Sequence, residues 1–196
     1  MALTLNGSAN TIGGLAVGGV PDGTIDTDAL AASAVTTAKI SGGAKTTTFD
    51  CWRVTTAWTD SANPVTNWER SDSTLSGSFG SQMTESSGIF SFPSTGIWWV
   101  HTHFYQKDHG NAVYAGHDHN LTTDNGSNWV VYAESYSWFT DNTMGARHDH
   151  TNLSSCYDIT DISNQKIKFR TGGTSQFIAS STTNYSFAQF IRLGDT

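Results

Sequence analysis

Charge is scarce in this chain of 196 residues: Asp, Glu, Lys and Arg together make up 14%, where a soluble domain usually carries roughly 25%. The 10 Lys and Arg residues never cluster, and 17 Asp and Glu leave a net charge of −7. Neutralising duplex phosphates needs a basic patch, so nucleic acid is excluded as a ligand. No apolar run of about eighteen residues exists, so no helix of that kind inserts in a membrane. The N-terminus MALTLNGSAN has neither a basic nor an apolar region of a signal peptide, and synthesis in the cytoplasm is expected. The sequence also holds no Gly-x-Ser-x-Gly elbow, no phosphate loop, no dinucleotide fingerprint and no His-Glu-x-x-His. Glu69, Glu85 and Glu134 are the only glutamates, each in a context that fits solvent or a strand edge, and the aspartates concentrate in turns. Enzymatic activity is therefore not expected.

Ser, Thr, Asn and Gly replace the missing charge, which favours strands and turns over helices. Seven Trp, six Tyr and ten Phe can fill a sizeable core, which a disordered chain would lack. Cys51 and Cys156 lie far apart in sequence and fit two buried thiols in a reducing compartment. A disulfide formed after release from the cell is the alternative.

Aromatic residues are absent from the first 48 positions; Phe49 is the first, and every His also lies beyond it. That shift in composition divides the chain into residues 1–45 and 46–196. In the first part Leu15, Val20, Ile25, Leu30, Val35 and Ile40 recur at a strict spacing of five, separated by small and polar residues. Neither the 3.6 period of a helix nor the 2.0 period of a strand matches. One copy cannot bury such a series in a regular element, whereas several copies wound about an axis can. A linker with coincidental spacing, or a short helix within 24–34 capped by Thr24 or Asp26, are the alternatives. The segment Asp22–Ile40, ending Ala-Val-Thr-Thr-Ala-Lys-Ile, resembles stalk repeats of tailed-phage fibre and virion proteins over residues 13–44. That resemblance implies trimerisation and attachment to a virion through the N-terminus.

The second part reads as about eight strands, Thr47–Trp58, Gly88–Phe92, Gly96–Tyr105, Val113–Leu121, Trp129–Phe139, Ser154–Ile159, Gln165–Arg170 and Tyr185–Leu193. Turn signals separate them, among them Asp108–Asn111, Thr123–Asn128, Asp161–Asn164 and Thr171–Gly173. An all-β jelly-roll sandwich is the expected fold. Gly88-Ile89-Phe90-Ser91-Phe92-Pro93-Ser94-Thr95-Gly96-Ile97-Trp98-Trp99-Val100 resembles a strand-turn-strand signature of complement-type heads, a branch of the tumour-necrosis-factor-like jelly rolls. Ser186–Leu193 resembles their last strand, which returns to the centre of the inner sheet. Ser163-Asn164 departs from that pattern, where Gly-Asp is usual. The family implies a homotrimer.

Six of the seven histidines form three His-x-His pairs: His101/His103, His117/His119 and His148/His150. On a strand, residues i and i+2 share a face, so each pair can present two imidazoles to a divalent transition metal. Trp98, Val100, Thr102 and Phe104 point one way on their strand, and Ile97, Trp99, His101, His103 and Tyr105 the other. Both faces are too apolar for open water. In the resembling trimers the equivalent strand packs near the threefold axis, where His101 and His103 of three copies would supply six imidazoles. A polar, stacked interface without metal is the other reading, and it makes the trimer sensitive to pH near 6.5. The pairs His117/His119 and His148/His150 could line neighbouring strands or decorate an outer surface.

The loop Thr122–Trp129 holds Asp124, Asn125 and Trp129, a candidate contact for a host-surface glycan or else a plain hairpin turn. The sequence thus suggests a structural virion protein, assembled in the host cytoplasm and bound to other capsid or tail proteins. It would be a short trimeric fibre or decoration protein. A free complement-type carbohydrate-binding module, or a receptor-binding tail fibre proper, are the alternatives.

Overall fold

In a computed structural model, residues 4–6, 11–13, 46–72, 77–108, 114–138 and 147–196 are described. The chain divides into two compact units, Met1–Gly43 and Ala44–Thr196. In the first, β1 (Thr4–Asn6) pairs antiparallel with β2 (Thr11–Gly13). The series Leu15, Val20, Ile25, Leu30, Val35 and Ile40 lies outside the described residues.

The second unit is all-β, with no helix among the described residues. Its strands are β3 (Thr48–Val54), β4 (Trp58–Thr59), β5 (Trp68–Arg70), β6 (Thr84–Ser86), β7 (Ile89–Ser91), β8 (Gly96–Asp108) and β9 (Tyr114–Thr122). There follow β10 (Val130–Trp138), β11 (His148–Ile159), β12 (Lys166–Gly173), β13 (Ser175–Phe177) and β14 (Phe187–Gly194). One sheet runs β4-β13-β8-β14-β3-β5, with β11 on the other edge of β8; the second runs β10-β9-β12-β7-β6. The two antiparallel sheets form a jelly-roll sandwich. The last strand, β14, lies between β8 and β3, as the sequence suggested.

Strand alternation explains the core. The even positions of β8, Trp98, Val100, Thr102, Phe104 and Gln106, are buried between the sheets. Ala188 and Phe190 of β14 join them from one neighbour, and Phe90, Ile167 and Phe169 from the facing sheet. Trp68 meets Phe90, Phe104 and Phe169 at 5.3, 6.2 and 5.7 Å in edge-on geometry, which aromatic quadrupoles favour. One buried carboxylate is fully solvated by protein. Asp50 accepts from Trp52 Nε1 at 2.8 Å, Arg70 Nε at 3.0 Å, Ser78 Oγ at 2.9 Å and the Met83 amide at 2.9 Å.

Several strand limits differ from the sequence reading. β8 continues through Asp108 because β13 pairs with residues 106–108. Thr171–Gly173, read as a turn, completes β12, since Gly172 and Gly173 pair with Gly116 and Ala115. β11 begins at His148 rather than Ser154, its polar N-terminal half held by the β8 ladder. The short strands β5, β6 and β13 carry too few residues for a period to show. Glu69 lies on the edge strand β5, as expected, and from there pairs with the buried Arg53 at 2.5 Å.

The cysteines also differ. Cys51 is buried but Cys156 is exposed, and no disulfide joins them. Cys51 sits on β3 and Cys156 on β11, with β14 and β8 between. Three strand spacings of about 4.8 Å exceed the roughly 7 Å a disulfide can bridge.

Candidate functional site: an imidazole and aromatic sheet face

The face of the larger sheet that points away from the core is laid out in rows across four strands. Register places Phe49, Ile191, Trp99 and Cys156 in one row, and Cys51, Gln189, His101 and Ser154 in the next. Arg53, Phe187, His103 and Asn152 form the third. Beyond it Tyr105 meets His150, and Lys107 meets His148. Alternation alone puts these side chains on one side, because each row is a set of in-register partners.

The rings stack along the face. Trp99 lies 5.5 Å from His101 with 7° between planes, His103 lies 5.1 Å from Phe187 at 17°, and Tyr105 lies 4.7 Å from His150 at 16°. Hydrogen bonds fix the imidazoles: His101 Nδ1 pairs with Ser154 Oγ at 2.8 Å, and His103 Nδ1 donates to Asn152 Oδ1 at 2.8 Å. Neutral His103 then carries its lone pair on Nε2, which accepts from His150 Nδ1 at 3.2 Å. Burial, followed by the neighbouring His103, pulls the His101 pKa below its usual value. Burial likewise lowers His103, against a raising hydrogen bond from Asn152. Arg53 is 1% exposed on the same face, bound through Nη2 to Glu69 and Asp72 at 2.5 Å each, while its Nε and Nη1 have no partner among the described residues.

The pairs His101/His103 and His148/His150 therefore meet on one surface. The third pair does not. His117 and His119 project from β9 into the sandwich, fully buried. Both Nε2 atoms lie 2.7 Å from Thr102 Oγ1; His117 Nδ1 lies 2.8 Å from Thr151 Oγ1, and His119 Nδ1 lies 2.8 Å from Tyr157 Oη. Thr102 has one proton, so it donates to one imidazole and accepts from the other, and the two rings hold opposite tautomers. Every ring nitrogen has a hydroxyl partner. This corrects the reading of His117/His119 as a metal pair or a surface feature: they form a closed hydrogen-bond chain in the core. Desolvation holds His119 down at about 3 and His117 well below its usual value. Between them Asp118 points the other way, to Arg170.

The Thr122–Trp129 loop is built as a turn. Asp124 Oδ1 accepts from Thr122 Oγ1 at 2.6 Å and from the Asn128 amide at 2.8 Å, and Oδ2 accepts from Asn128 Nδ2 at 2.6 Å. These bonds hold the Asp124 carboxyl down at about 2, and Asn125 takes a left-handed φ of 57°. Trp129 is covered by Lys168, whose Nζ lies 4.5 Å from the ring. Asp124 is thus committed to the turn itself. Sequence reasoning missed Phe187 and Ile191 as members of the imidazole face. Their signal was present: β14 alternates between two sets that both contain large apolar residues.

No protein-family model matches the chain, and no curated protein matches it. Among solved structures the fold is similar to Eiger TNF from S. frugiperda, with a TM-score of 0.61 at 12% identity, covering 78% of this chain and 96% of that one. Murine APRIL at pH 8.5 is similar at a TM-score of 0.55 and 10% identity, covering 74% and 98%. These likenesses are of fold.

Proposed function

We propose that the chain is a non-enzymatic structural protein of a phage virion. Three copies associate through the imidazole and aromatic face, and residues 1–45 attach the assembly to the particle. The uncovered face carries this reading: Ile97, Trp99, Tyr105, Phe187 and Ile191 lie only partly buried on a single chain, and a contiguous apolar surface of that kind marks an interface. The five-residue series, with its resemblance to phage stalks, supports the same association. The head-like unit then faces outward as a short fibre or decoration.

Native mass spectrometry of the full chain tests assembly. A trimer is expected, and Ile191→Asp should yield monomer, since burying a charge among Trp99 and Phe49 is costly. A wild-type monomer at micromolar concentration would refute the interface. Antibody labelling of intact phage particles tests location, and absence from purified particles would refute the virion assignment.

His101 and His103 of three copies would place six imidazoles about the axis, a donor set suited to an octahedral divalent transition metal. Such a metal requires His103 to release its contact with His150. Elemental analysis of the purified trimer decides it: one metal per three chains is expected on this reading, and none overturns it.

A further inference from the structure

The outer face of the smaller sheet carries a second feature, independent of the interface above. Tyr114, Tyr136 and Trp138 are 42%, 43% and 66% exposed and line an open depression of about 410 Å³. β9 and β10 pair Tyr114 with Trp138 and Gly116 with Tyr136, and β12 brings Gly172 opposite Gly116. The Tyr136 ring lies against Gly116, where a Cβ would collide with it. Its hydroxyl reaches 3.8 Å from the place a Cβ would take at Gly172. Two adjacent glycines thus form a floor on which one ring rests, with two more rings beside it.

Polar groups border the rings one pair further along. Asp118 takes Arg170 Nε and Nη2 on Oδ2 at 2.8 and 2.6 Å, and Asn120 on Oδ1. Arg170 Nη1 has no protein partner among the described residues. Glu134, paired with Asp118 across the ladder, is exposed to solvent. The Asp118–Arg170 pair cancels, and Lys168, two residues along β12 from Arg170 on the same face, offsets Glu134, so these four charges sum to zero.

We infer that Tyr114, Tyr136, Trp138, Glu134 and Arg170 form a binding site for a neutral hexose glycan. Pyranose rings present C–H faces that stack on aromatic planes and rim hydroxyls that both donate and accept. Glu134 is an acceptor for such hydroxyls and Arg170 a donor, fixed in place by a buried carboxylate. The balanced border has no surplus of positive charge to attract a polyanion, which favours a neutral glycan over an acidic one. An enclosed organic cation is the other ligand that aromatic rings and one acid can take. Tyr114 lies 5.9 Å from Tyr136 at 61° and 5.5 Å from Trp138 at 46°, so the rings meet at an angle and line an open, shallow depression rather than a closed cage around a cation. The site stands whether or not the chain trimerises, because it occupies the other sheet.

Affinity electrophoresis of the full chain in native gels tests it, each gel holding one neutral polysaccharide: a glucan, a mannan or a galactan. Retardation in at least one gel is expected, competed by the matching methyl hexoside. Trp138→Ala removes an exposed ring and leaves the core alone, and it should weaken binding roughly tenfold or more. Glu134→Gln is a second, non-disruptive variant with a smaller loss. Trp129→Ala should bind as wild type, since Trp129 lies under Lys168 at the far end of the face. No retardation in any neutral gel, retardation confined to acidic polysaccharides, or competition by choline would each overturn the site. Loss in Trp129→Ala with Trp138→Ala unaffected would move it to the Thr122–Trp129 loop.

Discussion

His150 Nδ1 donates to His103 Nε2 across the β8–β11 ladder at 3.2 Å, and that bond requires a neutral His103, whose Nε2 lone pair accepts it. Protonation of His103 removes that acceptor. Arg53 and Lys107 occupy the same face, with Glu69 and Asp72 already engaged by Arg53.

The first prediction concerns assembly and pH. His101 and His103 already sit below their usual values on the single chain, chiefly through burial, and covering the face in a trimer desolvates them further, so the assembled face holds fewer protons than a separated chain. Association is then strongest at neutral and higher pH and weakens as pH falls through the lowered single-chain values. Sedimentation at pH 8 and pH 5 should show trimer giving way to smaller species. His103→Gln should reduce the difference, and an unchanged distribution in the wild type would refute the link.

Folding stability of the head-like unit has its own acid dependence. His119 titrates at about 3 in the folded chain, against roughly 6.5 when unfolded. Its contribution is fully present above pH 6.5 and declines as pH falls toward 3, to a limit of about 5 kcal/mol. Urea midpoints measured at pH 8, 5 and 4 should fall in that order. Thr102→Val, which orphans both Nε2 atoms, should cost about 2–4 kcal/mol at pH 8. A Thr102→Val protein as stable as wild type would show that the hydroxyl is dispensable.

Asp50 and Asp195 provide a contrast between buried and exposed carboxylates. Asp50 holds Arg70, Trp52, Ser78 and the Met83 amide in the interior, so Asp50→Ala should destabilise by about 3–5 kcal/mol. Asp195 meets Arg192 at the exposed C-terminal end, and Asp195→Ala should change stability by less than about 0.5 kcal/mol. Thermal melts of the two variants check both.

Cys51 and Cys156 are too far apart for an intrachain bridge, so oxidising buffer should leave both thiols. Unfolding in iodoacetamide after oxidation should add two alkyl groups to each chain. Recovery of an intramolecular crosslink would contradict the order of strands between them.

Much of the sandwich was legible because its signals are local. Two-residue alternation marked the long strands, and the Pro93–Gly96 turn with the aromatic run after it pointed to a jelly roll. β5, β6 and β13 were not legible, because three residues show no period and their pairing depends on distant partners. The face of β8 was read correctly from sequence alone, with both sides apolar. Its neighbours were not, since no spacing reveals that Phe187 stands beside His103.

The three His-x-His pairs show where that boundary lies. The sequence determined that each pair shares one side of a strand, because strand geometry repeats every two residues. It could not determine which side. Tertiary structure turned His117 and His119 inward, onto hydroxyls supplied by β8 and β11, and turned His101, His103, His148 and His150 outward onto one surface. The two Asp-centred pairs are identical in sequence and opposite in fate. The difference is that Asp118 has Arg170 in register on the next strand to neutralise it outside the core, and register between distant strands is a property of the fold.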